Sequence, residues 1–463
     1  MEAVKNTSIV TALFNWFVYL KRWLPDSRVF QISKSVSEVG GGNNNGQHTL
    51  AMWNRVPEAN LESAAAIEVN GVHLGSVAAG IRYENRRDLV AILLPTGTSA
   101  SAVFTTNAFR AAPVELASRH LEMSAGRPRI LLINTGNANA GTGDPGIKAA
   151  LQCCESAARI FECQTHEVLP FSTGVIGEDL PVDRIVAALP DLRTQVRSDG
   201  WVDAAWGILT TDTRPKIESR EFNVWGQSYS VAGIAKGAGM LRPNMATMLS
   251  FITTDAALPP YSLDRILRTA VDSSFHRITV DGDTSTNDAV VLAATGTAAT
   301  ALDQAASNEL ELQLARVVTE VCIELAQGLV RDGEGATRFV EIEVRGGRHE
   351  TECLEVAFTV AHSPLVKTAL FAADANWGRI LAAVGRAPIS QLDVGQVEIS
   401  INGVLIASGG KRAVSYQESL LADSLDGREI SVVIDLGRGE AVERVWTSDL
   451  SHDYVRINAE YRS

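Results

Sequence analysis

A threonine hydroxyl becomes a useful nucleophile only when a base stands beside it. One solution is the residue's own α-amine, freed when the peptide bond before it is cut. Thr247 is placed for that chemistry. The stretch Lys236 to Asp255 reads KGAGMLRPNMATMLSFITTD. Lys236-Gly237-Ala238-Gly239 is a flexible corner carrying one cation, and Leu241-Arg242-Pro243-Asn244 is a turn, because Pro fixes φ and Asn tolerates tight backbone. A β-rich run from Thr247 to Thr254 follows, so the turn delivers Thr247 to the head of a strand. An α-amine has an unperturbed pKa of about 7.7–8.0, and a cation such as Lys236 nearby raises its neutral fraction. The same hydroxyl can first attack the carbonyl of Ala246, leaving Met245-Ala246 as the cut end. Acyl transfer also needs oxyanion donors, and Thr173-Gly174 in FSTGVIG are the candidates. Taken singly, each residue has a plainer role: a β-forming Thr, a solvated Lys and a Thr-Gly turn.

Other chemistries find less support. Eight histidines are scattered without HxxxH spacing, and GxSxG and GxxxxGK[ST] are absent, so neither a metal site nor a Ser–His–Asp triad is indicated. Gly141 to Gly146 matches GxGxxG, but six residues of Asn, Thr, Gly and Ala separate it from the strand RILLIN. A dinucleotide site needs its glycines directly after the strand, and a polar Gly-rich active-site loop fits better. Asp281 to Asp288 reads DGDTSTND, with Thr286 and Leu292 where a calcium loop needs Gly and Glu. Five cysteines, an odd number without CxxC, point to a reducing compartment. Cys153 and Cys154 read as small core fillers.

The elements that must position Thr247 come in mixed blocks. Strand patterns occur at Ile67–Leu74 (a hairpin with Asn-Gly at its turn), 89–94, 102–106, 129–134, 222–234, 339–344, 397–401, 430–434 and 442–447. Helical patterns occur at 114–123, 147–161, 181–192, 202–209, 262–273, 310–330, 353–373 and 377–384. Without strict βαβ alternation the class is α+β or a layered α/β sandwich. The chain has 463 residues, enough for two or three packed units. Its net charge of −13 argues against nucleic acid as a partner. The first 51 residues stand apart, with five basic against three acidic residues, an apolar run from Ser8 to Leu20 and the linker GGGNNNGQ. They read either as a dispensable extension, with translation starting at Met52, or as a targeting or anchoring segment.

The segment Lys236 to Asp255 closely resembles the self-cleavage segment of the ornithine acetyltransferase family, the bifunctional glutamate N-acetyltransferases of arginine biosynthesis. VFTTNAFRAAPV, NTGNANAGTG, FSTGVIG, TTDTRPK, DGDTSTNDA, RDGEGAT, SPLVKTALFAADANWGRI and the terminal YVRINAEYRS resemble further blocks of it in the same order. The resemblance spans about residues 56 to 463 and leaves 1–55 as an unmatched extension. It implies cleavage between Ala246 and Thr247 into chains 56–246 and 247–463, with Thr247 as nucleophile and Thr173 and Gly174 as the oxyanion pair. Thr210, Lys236, Thr247, Glu334, Asn458 and Ser463 match its substrate-binding positions, the last commonly Thr in relatives. Lys236 suits a carboxylate and Glu334 an ammonium group. The implied fold is a four-layer α/β/β/α sandwich like a distorted N-terminal-nucleophile fold, with a smaller second α/β domain. The implied reaction is ping-pong acetyl transfer from N2-acetylornithine to glutamate, with no required cofactor, acetyl-CoA an open second donor, and a dimer of heterodimers in the cytoplasm. The alternatives are a self-cleaving aminopeptidase of similar fold and an inactive binding scaffold.

Overall fold

The structure, a computed structural model, describes residues 67–242, 248–298, 302–421 and 425–460. The first part of the chain runs β1 (His73–Val77), β2 (Leu89–Leu93), β3 (Ser99–Phe104), α1 (Ala112–Met123), β4 (Ile130–Asn137), α2 (Gly143–Phe161), β5 (Val168–Val175), α3 (Val182–Thr194) and α4 (Trp201–Gly207). It continues through β6 (Lys216–Val224), β7 (Gln227–Lys236), β8 (Leu249–Thr254), α5 (Pro260–Asp272), β9 (Ile278–Thr279), β10 (Ala289–Ala294) and α6 (Gln304–Arg331). The remainder is β11 (Phe339–Gly347), α7 (Glu350–Ala361), α8 (Pro364–Phe371), α9 (Trp377–Gly385), β12 (Glu398–Ile401), β13 (Val404–Ser408), β14 (Lys411–Arg412), β15 (Glu429–Asp435), β16 (Ala441–Ser448) and α10 (His452–Ala459).

Strand periodicity generates the layers. One sheet has the order β1-β2-β4-β5 and a second the order β3-β10-β8-β7-β6. In the first, Val90, Ile92, Leu131, Ile133, Leu169 and Phe171 meet Ala232, Ile234, Leu249, Phe251, Ala289 and Val291 of the second in one core. The alternate residues Leu89, Ala91, Ile130, Leu132 and Val168 face outward onto Cys153, Cys154, Ala157, Ile185 and Leu189 of α2 and α3. In the second sheet, Tyr229, Val231, Ile252, Val290 and Leu292 face the other way, onto α5 and α6. Side chains of period two, buried on both sides, therefore produce four layers, α/β/β/α. The Phe171 and Phe251 rings meet edge to face across the middle, with centroids 5.0 Å apart.

α6 spans two sheet neighbours because Leu310, Leu314, Val317, Val321, Leu325 and Leu329 recur at helical spacing and are all buried. Asp303 caps it, accepting from the Ala306 N–H at 2.8 Å. A third sheet, β14-β13-β12-β15-β11-β16-β9, packs α7, α8 and α9 over a separate core. The layered α/β sandwich with a further α/β layer thus agrees with the sequence reading, and the buried Cys153 and Cys154 are core fillers.

Two local readings need correction. Asn70-Gly71 does turn, with Gly71 at φ +83°, but no hairpin forms there. β1 pairs antiparallel with β2 instead. Asn70 is committed elsewhere: its side chain donates to Asp255, and its carbonyl accepts from the hydroxyls of Thr295 and Thr297. The helical pattern from Cys353 to Ala373 is two helices, α7 and α8, broken before Pro364 where Ser363 is extended. Pro364 lacks an N–H and disfavours helical backbone at the residue before it. No described helix is long and apolar enough to cross a membrane.

Candidate active site

β7 ends at Lys236, and the antiparallel β8 begins at Leu249 directly opposite it. The flanks of the segment between them are therefore held side by side. Pro243 to Thr247, and with them the cleavage residues Ala246 and Thr247, lie outside the described residues, as does Ser463. The other sequence candidates are all described, and hydrogen bonds link them.

Lys236 is 2% exposed, and its Nζ donates to Thr173 Oγ1 at 3.1 Å across the two sheets. Thr173 and Gly174 sit at a bulge where β5 pairs with β4 around Asn137. Gly174 has φ +137°, and a Cβ there would stand 2.3 Å from the Gly136 carbonyl carbon, so only glycine fits. Polar side chains hold the bulge. Ser172 donates to Asn134, Asn134 donates to the Asn137 carbonyl, and Asn287 donates to the carbonyls of Ala138 and Ser172. The Gly-rich loop after β4 thus shapes the backbone of the oxyanion candidates. Gly146, just after that loop in α2, is glycine for packing, because a Cβ there would collide with the Thr142 side chain.

Thr210 joins through Asp212. The Asp212 carboxylate accepts from the Thr210 N–H at 3.2 Å, the Gly237 N–H at 2.7 Å and Lys216 Nζ at 2.6 Å. Lys216 also pairs with buried Asp332. Burial by itself would raise the Asp212 carboxyl, but Lys216, Lys236 and the Gly237 N–H outweigh it and hold it below the ordinary range. Burial pushes the Lys236 ammonium down, and Lys216 adds to that, while Asp212, Asp288 and Glu334 oppose it.

Glu334 closes the other side. Its N–H donates to the Ala238 carbonyl at 2.8 Å, and its carboxylate packs where a Gly239 Cβ would be. Asn458 Nδ2 of α10 donates to Glu334 Oε2 at 2.8 Å. Burial raises the Glu334 carboxyl above its usual range, against hydrogen bonds from Thr211 and Asn458 and the charge of Lys236. Beside it, Asp281 accepts from the N–H groups of Met240 and Leu241 at 2.6 and 2.8 Å. Asp288 Oδ1 accepts from the Met248 N–H at 2.7 Å.

Thr173, Gly174, Thr210, Lys236, Glu334 and Asn458 therefore belong to one connected cluster. It offers an ammonium, a carboxylate, a hydroxyl and a kinked glycine backbone, a set that can hold an amino acid by both charges beside an acyl group. Sequence reasoning gave no role to Asp212, Lys216, Asp332, Asp281 or Asp288. The only signal was their place in the blocks TTDTRPK, RDGEGAT and DGDTSTND. Among the described residues no group of three His, Cys, Asp or Glu side chains is arranged to hold a metal ion.

Comparison with known proteins supplies a family. Residues 73–463 match the ArgJ family. The arginine biosynthesis bifunctional protein ArgJ of Pseudomonas syringae pv. tomato is 51% identical over 395 residues, covering 85% of this chain and 97% of that protein. The protein of the same name from Pseudomonas fluorescens is 50% identical with the same coverage. Among solved structures, that of ArgJ from Bacillus halodurans is 37% identical, covering 46% of this chain and 100% of that chain with a TM-score of 0.44.

Proposed function

The chain belongs to the ArgJ family and is an acetyltransferase of arginine biosynthesis; from that premise we propose the residues and steps that carry its reaction. The chain first cuts itself. Thr247 Oγ1 attacks the Ala246 carbonyl carbon, the peptide C–N bond breaks, and the nitrogen takes up the hydroxyl proton. Water then hydrolyses the ester, leaving a carboxylate on Ala246 and a free α-amine on Thr247. The fragment ending at Ala246, which contains residues 56–246, and the fragment 247–463 become two associated chains, which pair into a dimer of heterodimers.

N2-acetylornithine enters with its carboxylate on Lys236 and its side-chain ammonium on Glu334, while Thr210, Asn458 and Ser463 add neutral hydrogen bonds. The α-amine takes the proton of Thr247 Oγ1 as that oxygen bonds to the acetyl carbon. Thr173 and the Gly174 backbone hold the oxyanion. The C–N bond breaks, the α-amine's proton passes to the leaving nitrogen, and ornithine departs. Glutamate binds in its place, its neutral amine attacks the ester, and the displaced Thr247 oxygen regains a proton as N-acetylglutamate leaves. We extend the first half-reaction to acetyl-CoA as a second donor, and place the enzyme in the cytoplasm.

The observation that supports this reading is the connected cluster of Thr173, Lys236, Asp212, Glu334 and Asn458 beside both flanks of the segment that contains Thr247. Intact-mass measurement of purified protein should find two fragments, the second beginning at Thr247. Thr247→Ala should stay one chain and lose acetyl transfer by more than about 1000-fold. Transfer retained in that variant would remove Thr247 as the nucleophile. The same assay with acetyl-CoA replacing acetylornithine reads the second donor.

A further inference from the structure

We propose that Asp212 is a positioning residue of this site, holding Lys236 as an ammonium and fixing the corner that carries it, so that the anchor for a substrate carboxylate stays charged. This rests on the assignment of Lys236 as that anchor. Lys236 is almost fully buried, and its described hydrogen bond goes to a neutral hydroxyl, Thr173 Oγ1 at 3.1 Å. A buried ammonium without a compensating charge loses its proton.

The compensation comes from Asp212, whose side chain is 0% exposed. Its Oδ1 accepts from the N–H of Gly237, the residue next to Lys236, at 2.7 Å. Its Oδ2 accepts from the Thr210 N–H at 3.2 Å. One carboxylate thereby ties the backbone of Thr210 to that of Gly237, the residue after Lys236, and brings a negative charge to the corner that carries the lysine. The charged groups that act most on Lys236 are Asp212 from the loop after α4, Lys216 from β6, Asp288 before β10 and Glu334 after α6. With Asp332 beside Lys216, four carboxyl groups face two lysines. Asp212 pairs directly with Lys216 at 2.6 Å, but Lys216 keeps Asp332 as a second partner, whereas Lys236 loses the foremost charge that opposes its burial. Lys236 would then titrate at lower pH, and its hold on a carboxylate would weaken as pH rises.

Asp212→Asn is the test, because its amide oxygen can still accept from the Gly237 N–H while the charge is gone and the weaker bond from Thr210 is given up. In the wild-type enzyme the KM for glutamate should stay flat from about pH 6.5 to pH 8.5. In Asp212→Asn it should rise about tenfold across that window, with kcat changing less. Asp212→Glu should restore the flat profile. A purely structural role would alter KM or kcat without adding this pH dependence, so parallel profiles overturn the proposal. Should the Asn variant fail to fold or cleave, the wild-type enzyme decides. In protein labelled with [ε-13C]lysine, with Lys236 assigned through Lys236→Arg, its resonance should be that of an ammonium at pH 8, and a neutral amine there overturns the proposal. Lys236→Met separates the two ideas. An unchanged KM for glutamate in that variant refutes the anchor itself. A raised KM there, beside a wild-type profile in Asp212→Asn, refutes only the role of Asp212.

Discussion

The Thr173 hydroxyl accepts a hydrogen bond from Lys236 Nζ at 3.1 Å, which leaves its own hydrogen to donate. A hydroxyl held in this way is a preorganised donor, since its lone pair is occupied before substrate arrives. Thr173→Val keeps the branched shape and removes only the oxygen. It should lower kcat by about 100-fold in a steady-state transfer assay, and an unchanged kcat would assign the oxyanion to other groups. Gly174 tests the backbone beside it. At φ +137°, with a Cβ placed 2.3 Å from the Gly136 carbonyl carbon and 2.5 Å from the Asn137 nitrogen, alanine cannot enter without moving the β4–β5 pairing. Gly174→Ala should cost about 3 kcal/mol or more in chemical denaturation. A wild-type melt for that variant would mean the bulge is not held as tightly as its hydrogen bonds indicate.

The element that organises the site is the connection from β9 to β10. Thr279 and Val280 hold the Leu241 carbonyl, at 3.0 and 2.8 Å, and Asp281 holds the N–H groups of Met240 and Leu241. Seven residues later, Asp288 holds the Met248 N–H at 2.7 Å. One short segment thus grips the chain on both sides of the proposed cut, which gives Asp281 and Asp288 of DGDTSTND a structural role. Asp288→Ala would leave a buried N–H unpaired next to the proposed nucleophile, at about 1–3 kcal/mol. Self-cleavage, followed by intact mass over time, should slow at least about tenfold, and Asp288→Asn, which retains an acceptor oxygen, should cleave faster than Ala. Equal cleavage in Ala and wild type would refute the grip. These contacts were not legible in the sequence. A carboxylate that binds backbone N–H groups 40 residues away leaves no local pattern, whereas RILLIN announces β4 because both its faces are buried. The same distinction separates the readable site residues from the rest. Thr173, Gly174, Lys236 and Glu334 stand in blocks recognisable by resemblance and by their chemistry. Asp212 stood in such a block too, but its role exists only where β6, β7 and the loop before them meet.

At the scale of the whole described molecule, polar side chains near the site tie β9, the edge strand of the third sheet, and its flanks to β16, α10 and the end of α7. Arg277 pairs with Glu443 at 3.0 Å, Tyr454 donates to Asp281 at 3.3 Å, and His362, after α7, has Nε2 3.0 Å from Thr279 Oγ1. This junction responds to acid through His362. Burial first, then the positive charges of Arg242, Lys367 and Arg386, lower its pKa to about 4. In the unfolded chain a histidine titrates near 6.5. Between those values the unfolded state binds a proton that the folded state does not, so stability falls as pH drops from about 6.5 to 4. The full loss from this group is roughly 3 kcal/mol. Asp281 has its carboxyl raised by burial, against the N–H bonds it accepts, and a raised carboxyl acts on stability with the opposite sign. A comparison of wild type with His362→Gln cancels that contribution, because Asp281 is common to both, while glutamine can still bond Thr279 without taking a proton. Urea denaturation across this range should find wild type losing roughly 3 kcal/mol more than the variant. The two curves should converge or cross toward pH 4, and parallel curves would mean that His362 charges as readily in the folded protein as in the unfolded chain.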